Sequence, residues 1–219
     1  MKHWWKILAV ILIVYSIIGG FLIDVPDLPV IHQSIRNVFF HVCMWFSMIL
    51  LLLISFIYSI KYLSDADIHN DIIAEESSKM GIVFGILGLI TGMIWAKFTW
   101  GTWWIRDPKL DGAALSMLSY FAYFVLRNSV QDEIKKARLA SVYNVFAFIF
   151  FIIFIIVYPK ISASSIHPGD NGSVFGGAIN NNIRMVFYPA ILGWILLGTW
   201  IVTLRIRYRK LMLNLECWI

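Results

Sequence analysis

Charge is scarce in this chain. Only 14% of its 219 residues are Asp, Glu, Lys or Arg, whereas 60% are hydrophobic, which leaves too little polar surface to clothe a soluble globule. No polar stretch is long enough to form a separate soluble domain, so residues 1–219 read as one transmembrane domain. Cysteine is almost absent. Cys43 lies inside an apolar run and Cys217 in the tail, at opposite ends of the membrane in the arrangement derived below, which argues against a disulfide. The chain has no C-x-x-C-H and so carries no covalently attached c-type haem of its own. It also has no G-x-x-x-x-G-K-[ST], which excludes ATP hydrolysis by a P-loop. A hydrolytic constellation is missing too, and the expectation is that the protein is not an enzyme. After Gly19-Gly20 comes Phe21-Leu22-Ile23 rather than a small-x-small cleavage site, so the first apolar run reads as a retained helix.

What the sequence does have is long apolar runs, with a mean hydropathy of +0.77. Six spans can be drawn, at 4–23, 38–60, 80–96, 113–126, 139–158 and 185–204, which predicts an all-α polytopic bundle of about six transmembrane helices. The fourth is short for a crossing unless it begins within 108–112 or extends into 127–130. The net charge of +5 raises nucleic acid as a partner, but the basic residues flank apolar runs instead of forming a stripe, so none is expected. They read as orientation signals. With both termini cytoplasmic, the inner segments carry Lys2, Lys6, Lys61, Lys79, Arg127, Lys135, Lys136, Arg138, Arg205, Arg207, Arg209 and Lys210. The outer segments keep Arg36, Lys97, Arg106, Lys109, Lys160 and Arg184. That positive-inside bias predicts an N-in, C-in bundle. The inner segment 61–79 holds Asp65, Asp67, Asp71, Glu75 and Glu76 and reads as a solvated loop or partner surface.

Two outer segments, 97–112 and 159–184, concentrate the residues suited to chemistry. From Trp95 to Trp104 five large aromatics cluster at a membrane boundary, readable as an interfacial belt or as a platform on which a planar ligand stacks. In the second reading Lys97, Arg106 and Lys109 supply positive charge to its carboxylates. Gly81, Gly85, Gly88 and Gly92 recur at i, i+4, i+7 and i+11 on one helical face, which permits close helix packing or a flat cofactor against that face. Asp107 before Pro108 fits an N-cap and N1 pair as well as a ligand-side role. Arg36 and Arg184 flank the second and sixth spans, as interfacial anchors or as guanidiniums matched to a carboxylate. Pro189 is placed to kink the sixth span. Asn171-Gly172-Ser173 matches an N-glycosylation pattern with nothing else to support it.

The string Trp100-Gly101-Thr102-Trp103-Trp104-Ile105-Arg106-Asp107 resembles the tryptophan-rich signature, usually W-G-x-x-W-x-W-D, of the haem-handling proteins CcmC, CcmF and CcsA, and is most similar to CcmC. It departs at Arg106, where those proteins usually have Trp, so Arg106 either thins the stacking surface or pairs with a haem propionate. The resemblance implies two outer axial histidines. His41 and His167 match them by position, with His32 in reserve, while His3 and His69 fall on the inner side. A neutral imidazole nitrogen is a good haem-iron ligand, and an ionisable side chain at an apolar boundary is costly and tends to be functional.

What the resemblance implies is a protein that binds haem b as transient cargo at the outer face, between His41 and His167. Trp100, Gly101, Trp103, Trp104, Arg106 and Asp107 would lie alongside, and Arg36 and Arg184 within reach of the propionates. It would pass haem to the periplasmic haem chaperone CcmE for cytochrome c maturation, working with an ABC-transporter assembly of CcmA, CcmB and CcmD and with membrane lipid around it. Two alternatives stay open. One is a CcsA-type cytochrome c synthase subunit; the other is a non-haem transporter or structural subunit whose tryptophans form only a belt.

Overall fold

In hydrocarbon every backbone N–H and C=O must find its partner within the segment, so apolar runs of this length can only be helices. The computed structural model describes residues 3–26, 31–162, 165, 167 and 180–216, and among these there is no strand. In chain order the elements are α1 (Trp4–Leu22), a 3₁₀ segment (His32–Phe39), α2 (His41–Asp65), α3 (Ile68–Trp100) and α4 (Pro108–Ser129). There follow α5 (Glu133–Ile152), a π-helical turn (Ile153–Val157), α6 (Tyr158–Ile161) and α7 (Asn181–Glu216). Five stretches are long and apolar enough to cross a membrane: Trp4–Leu22, His32–Asp65, Ile68–Trp100, Glu133–Ile161 and Asn181–Leu213. The chain is therefore a multi-pass α-helical membrane protein.

The fourth span is less apolar, yet α4 also runs the height of the bundle. It extends past residues 113–126 at both ends, and its 22 residues rise about 33 Å, enough for a hydrocarbon core. At one end Gly112 packs against the backbone of the π turn at Phe154. At the other, Arg127 pairs with Asp71 of α3. Helix α2 is the hub, packed most closely on α3 and also on α5 and α7, while α1 lies on α7 and α4 on α5. The glycine face of α3 packs chiefly on α2: a Cβ at Gly81 would strike Leu52, at Gly85 both Met117 of α4 and Met48, at Gly88 Trp45 and at Gly92 the His41 ring. Where α2 meets α5, Asn144 Nδ2 donates to Ser55 Oγ (2.7 Å) and Ser59 Oγ (2.8 Å). Such polar contacts hold helices together where lipid offers no hydrophobic driving force.

The bundle has two chemically distinct ends. At one lie the start of α2, the end of α3 and the start of α4, where the sequence analysis places the outer site. At the other, α3 and α7 continue beyond the length a membrane requires. Both terminal helices begin or finish at this second end, since Lys6 packs over Trp200 while Gly19, near the far end of α1, meets Val186.

The segment 61–79 is not a solvated loop, and this corrects the expectation. Helix α2 continues to Asp65, Ala66 turns the chain in a left-handed conformation (φ 54°), and Asp67 caps α3 by accepting from His69 N at 2.9 Å. Asp71, Glu75 and Glu76 are then buried. Arg127 donates to Asp71 (2.8 Å) and Glu75 (2.9 Å), Lys79 bridges Glu75 and Glu76, and Arg205 of α7 closes on Glu76 at 2.5 Å. Three acids and three bases thus neutralise one another across α3, α4 and α7.

Helix α7 runs through Pro189. Proline has no N–H to offer the carbonyl four residues back, and that carbonyl, Met185 O, accepts instead from Tyr15 Oη of α1 at 3.3 Å. Lys2, Cys217, the Asn171–Ser173 pattern and most of the 159–184 segment lie outside the described residues.

Candidate functional site

His41 opens α2 and is buried. Its Nδ1 is 2.9 Å from the carbonyl of Gly88. An unprotonated nitrogen would repel that oxygen, so Nδ1 carries the proton and Nε2 keeps its lone pair for a ligand, the arrangement that makes histidine a good metal ligand. Two indoles fix the ring edgewise, Trp95 at 5.8 Å and 80° and Trp45 at 6.3 Å and 76°. Trp45 lies one turn along α2 from His41, on the same face. Trp95 is itself pinned, donating from Nε1 to Ser34 Oγ of the 3₁₀ segment at 2.9 Å.

The ring of His167 lies 6.5 Å from that of His41, centroid to centroid, with their planes 31° apart. Both line a cavity of about 270 Å³ walled by α2, α3, α4 and the π turn. Trp100 and Trp104 are in the wall, with Trp45, Trp95, Thr99 and Lys109. Thr99 Oγ1 is buried with no hydrogen-bond partner among the described residues.

The aromatic cluster divides. Trp95, Trp100 and Trp104 face the cavity, whereas Phe98 and Trp103 are exposed. Residues 101–107 are all that remains of the 97–112 loop, because α3 continues through Trp100 and α4 begins at Pro108. Gly101 ends α3 at φ 78°, in the left-handed region that glycine enters without a side-chain clash. Trp104 is held by donation from its Nε1 to Asp111 Oδ1, 3.2 Å away.

Asp107 caps α4, accepting from Lys109 N at 2.9 Å. Its carboxylate also accepts from Ser165 Oγ at 3.2 Å, and Ser165 Oγ accepts in turn from the backbone N–H of His167 at 3.3 Å. Asp107 therefore ties the start of α4 to the segment that carries the second histidine. Gly101, Trp103, Arg106 and Asp107 do not line the cavity, and neither do Arg36 and Arg184. The Arg36 guanidinium caps α1, donating to Gly20 O and Ile23 O at 2.8 Å each. Arg184 sits at the start of α7, Arg106 is exposed, and His32 is exposed on the 3₁₀ segment. Sequence reasoning missed Trp45 as a site residue, although its one-turn spacing from His41 was a usable signal, and it read Gly92 only as one member of the glycine face.

Fold and site together define a polytopic helical membrane protein with a tryptophan-walled cavity and a facing pair of histidines at one end. The chain belongs to the heme exporter protein C family, whose model matches residues 1–216. Over 109 residues, half of this chain, it is 29% identical to heme exporter protein C of Paracoccus denitrificans, covering 45% of that protein. It is 33% identical over 69 residues, 32% of this chain and 28% of the relative, to heme exporter protein C of Rhodobacter capsulatus. It is also 37% identical over 106 residues, 48% of this chain, to the cytochrome c biogenesis protein CcsA of Prochlorococcus marinus, of which that covers 32%. The chain thus spans less than half the length of these relatives.

Proposed function

We propose that this protein holds haem b between His41 and His167 at the outer face of the bacterial cytoplasmic membrane and delivers it to the periplasmic chaperone CcmE during cytochrome c maturation. The observation that carries the reading is the imidazole pair. Metal–imidazole bonds are about 2.0–2.1 Å long and a ring nitrogen lies about 1.1 Å from its centroid, so rings on opposite sides of one metal have centroids about 6.3 Å apart. The pair stands at 6.5 Å. Among the described residues no three His, Cys, Asp or Glu side chains gather as a metal site. Two histidines alone suit a metal that arrives with its own equatorial ligands, as iron does in a porphyrin.

The other wall residues have complementary roles. The indoles of Trp45, Trp95, Trp100 and Trp104 offer apolar contact to a flat macrocycle, Lys109 a cation to a propionate, and Thr99 an unused hydroxyl. Asp107, through Ser165, sets where the second imidazole stands. Arg36 is committed to α1 and Arg106 is exposed, so neither belongs in the first contact with cargo. Release needs energy from elsewhere, since the chain has no P-loop, and an ABC assembly of CcmA, CcmB and CcmD is the partner this reading assigns. The likeness to CcsA supports a second reading, in which the same site presents haem directly to an apocytochrome.

An absorption spectrum of the purified, detergent-solubilised protein tests the reading. A Soret band typical of two imidazole ligands is expected, shifted or lost in His41→Ala and in His167→Ala and unchanged in His69→Ala. Identical spectra in all three would reject the axial pair, and a colourless wild-type protein prepared with abundant haem would leave the tryptophans as a belt. Transfer to CcmE or to an apocytochrome, measured side by side, separates the two readings.

A further inference from the structure

The cavity is not enclosed on all sides, and on α3 the residues that flank its wall at Met93, namely Ile90 and Ile94, are exposed and apolar, a surface suited to lipid. Its walls are two tight pairs. One is α2 with α3, sealed by Trp45 against Gly88 and His41 against Gly92; the other is α4 with the π turn, where Gly112 meets the Phe154 backbone. Between the pairs, α3 and α4 touch only sparingly, although they are consecutive, and the side chain of Met117 from α4 meets Gly85 of α3 beside Met48 of α2, one turn below Gly88. Towards the ionic end the gap closes, because Met117 of α4 fills the space at Gly85 of α3 and Arg127 of α4 pairs with Asp71 of α3, while α2 joins α5 through Asn144 with Ser55 and Ser59. The wall from Gly88 to Trp100 rises about 18 Å, over half of the roughly 30 Å hydrocarbon depth.

The chemistry along the gap is graded. On α3, Leu89 and Met93 line its deeper part, Leu89 half-buried and Met93 at 36% exposure. Apart from His41, whose Nδ1 is bonded to the Gly88 carbonyl, the polar wall groups Thr99 and Lys109 come towards the end where Trp104 and His167 sit. A water-facing entrance would invert that order, since polar groups left facing hydrocarbon cost free energy unless bonded. The slot suits a molecule with an apolar plane and an anionic edge, moving plane-first through hydrocarbon with its anionic edge towards Lys109.

We propose that the gap between α3 and α4 is a lateral portal, through which the porphyrin passes between the membrane and the histidine pair; the proposal rests on the haem reading above. Loading then draws on haem dissolved in the bilayer, and the loop 101–107 serves the exit side.

The test uses the full chain in nanodiscs, in a Cys217→Ser background where the remaining Cys43 is fully buried. Met93→Cys at the gap and Trp103→Cys on the exposed loop are each labelled with a bulky pyrene maleimide. Haem b is then offered from phosphatidylcholine vesicles and growth of the Soret band is followed. The label at position 93 is expected to slow uptake by about tenfold or more, while the label at 103 leaves the rate alone. Equal rates for labelled and unlabelled Met93→Cys, or slowing at 103 alone or at both sites, would overturn the portal. If the unlabelled protein takes up no haem from vesicles or from solution, the haem reading itself fails, and uptake from solution alone rejects only the portal.

Discussion

A single hydrogen bond decides what His41 can do. The Gly88 carbonyl takes the Nδ1 proton, and Gly92 leaves the space in which the ring stands, since a Cβ there would come within 2.6 Å of His41 Cε1. Alanine in a helix interior is intrinsically favoured over glycine by up to about 1 kcal/mol, so any loss in Gly92→Ala comes from displacing the imidazole. The expected outcome is a protein that folds but binds haem about 10–100-fold more weakly, the usual cost of disturbing a ligand's supporting shell. Its Soret band should shift too. Gly81→Ala is the matched control, because its Cβ would press on Leu52 and touch Leu51 Cβ at 3.6 Å, neither of them in the cavity wall; it should leave titration and spectrum alone. His41, His167 and the tryptophan string could be read from the sequence because rare residues stood in a known pattern. Gly92 could be read only as a member of a stripe, since the residue that fills its space lies 51 positions away.

At the scale of elements, sequence patterning finds the helices and misjudges their ends. The third span reads as 80–96 because Asp71, Glu75 and Glu76 look like solvent-exposed charges; in the structure they are interior to α3, which starts at Ile68. Their partners Arg127 and Arg205 come from α4 and α7, too far along the chain for a local window to register. The same ion pair explains why α4 reaches Ser129 rather than stopping near residue 126. Asp71 is 3% exposed and Arg127 5%, and removing one member of a buried pair strands the other, at a cost of about 3–5 kcal/mol. Arg127→Met should therefore lower thermal stability in detergent by that order. Adding Asp71→Asn and Glu75→Gln should restore much of it, since a buried pair is often replaceable as a whole. A triple variant no more stable than Arg127→Met would show that the network is not what holds α3 to α4.

Taken whole, the molecule is polarised, and the proposed function depends on which way that polarity is set across the membrane. Helix α7 is about 54 Å long, and its 36 residues carry Arg205, Arg207, Arg209 and Lys210 beyond the apolar stretch at the ionic end. Twelve of eighteen basic residues fall on that side in the arrangement read from the sequence, the bias that marks the cytoplasm. The acids Asp71, Glu75 and Glu76 lie there too, but such groups contribute little to orientation, and here they are spent on neighbouring bases. On that bias the cavity end is expected to face outwards. Single cysteines report this directly: Trp103→Cys, 54% exposed beside the site, and Tyr208→Cys, 65% exposed on α7, each in the Cys217→Ser background. In intact spheroplasts a membrane-impermeant maleimide should label position 103 at once and position 208 only after lysis. The reverse pattern would turn the histidine pair to the cytoplasm, where no periplasmic chaperone could reach it, and the delivery step would have to be abandoned even if the haem site itself stood.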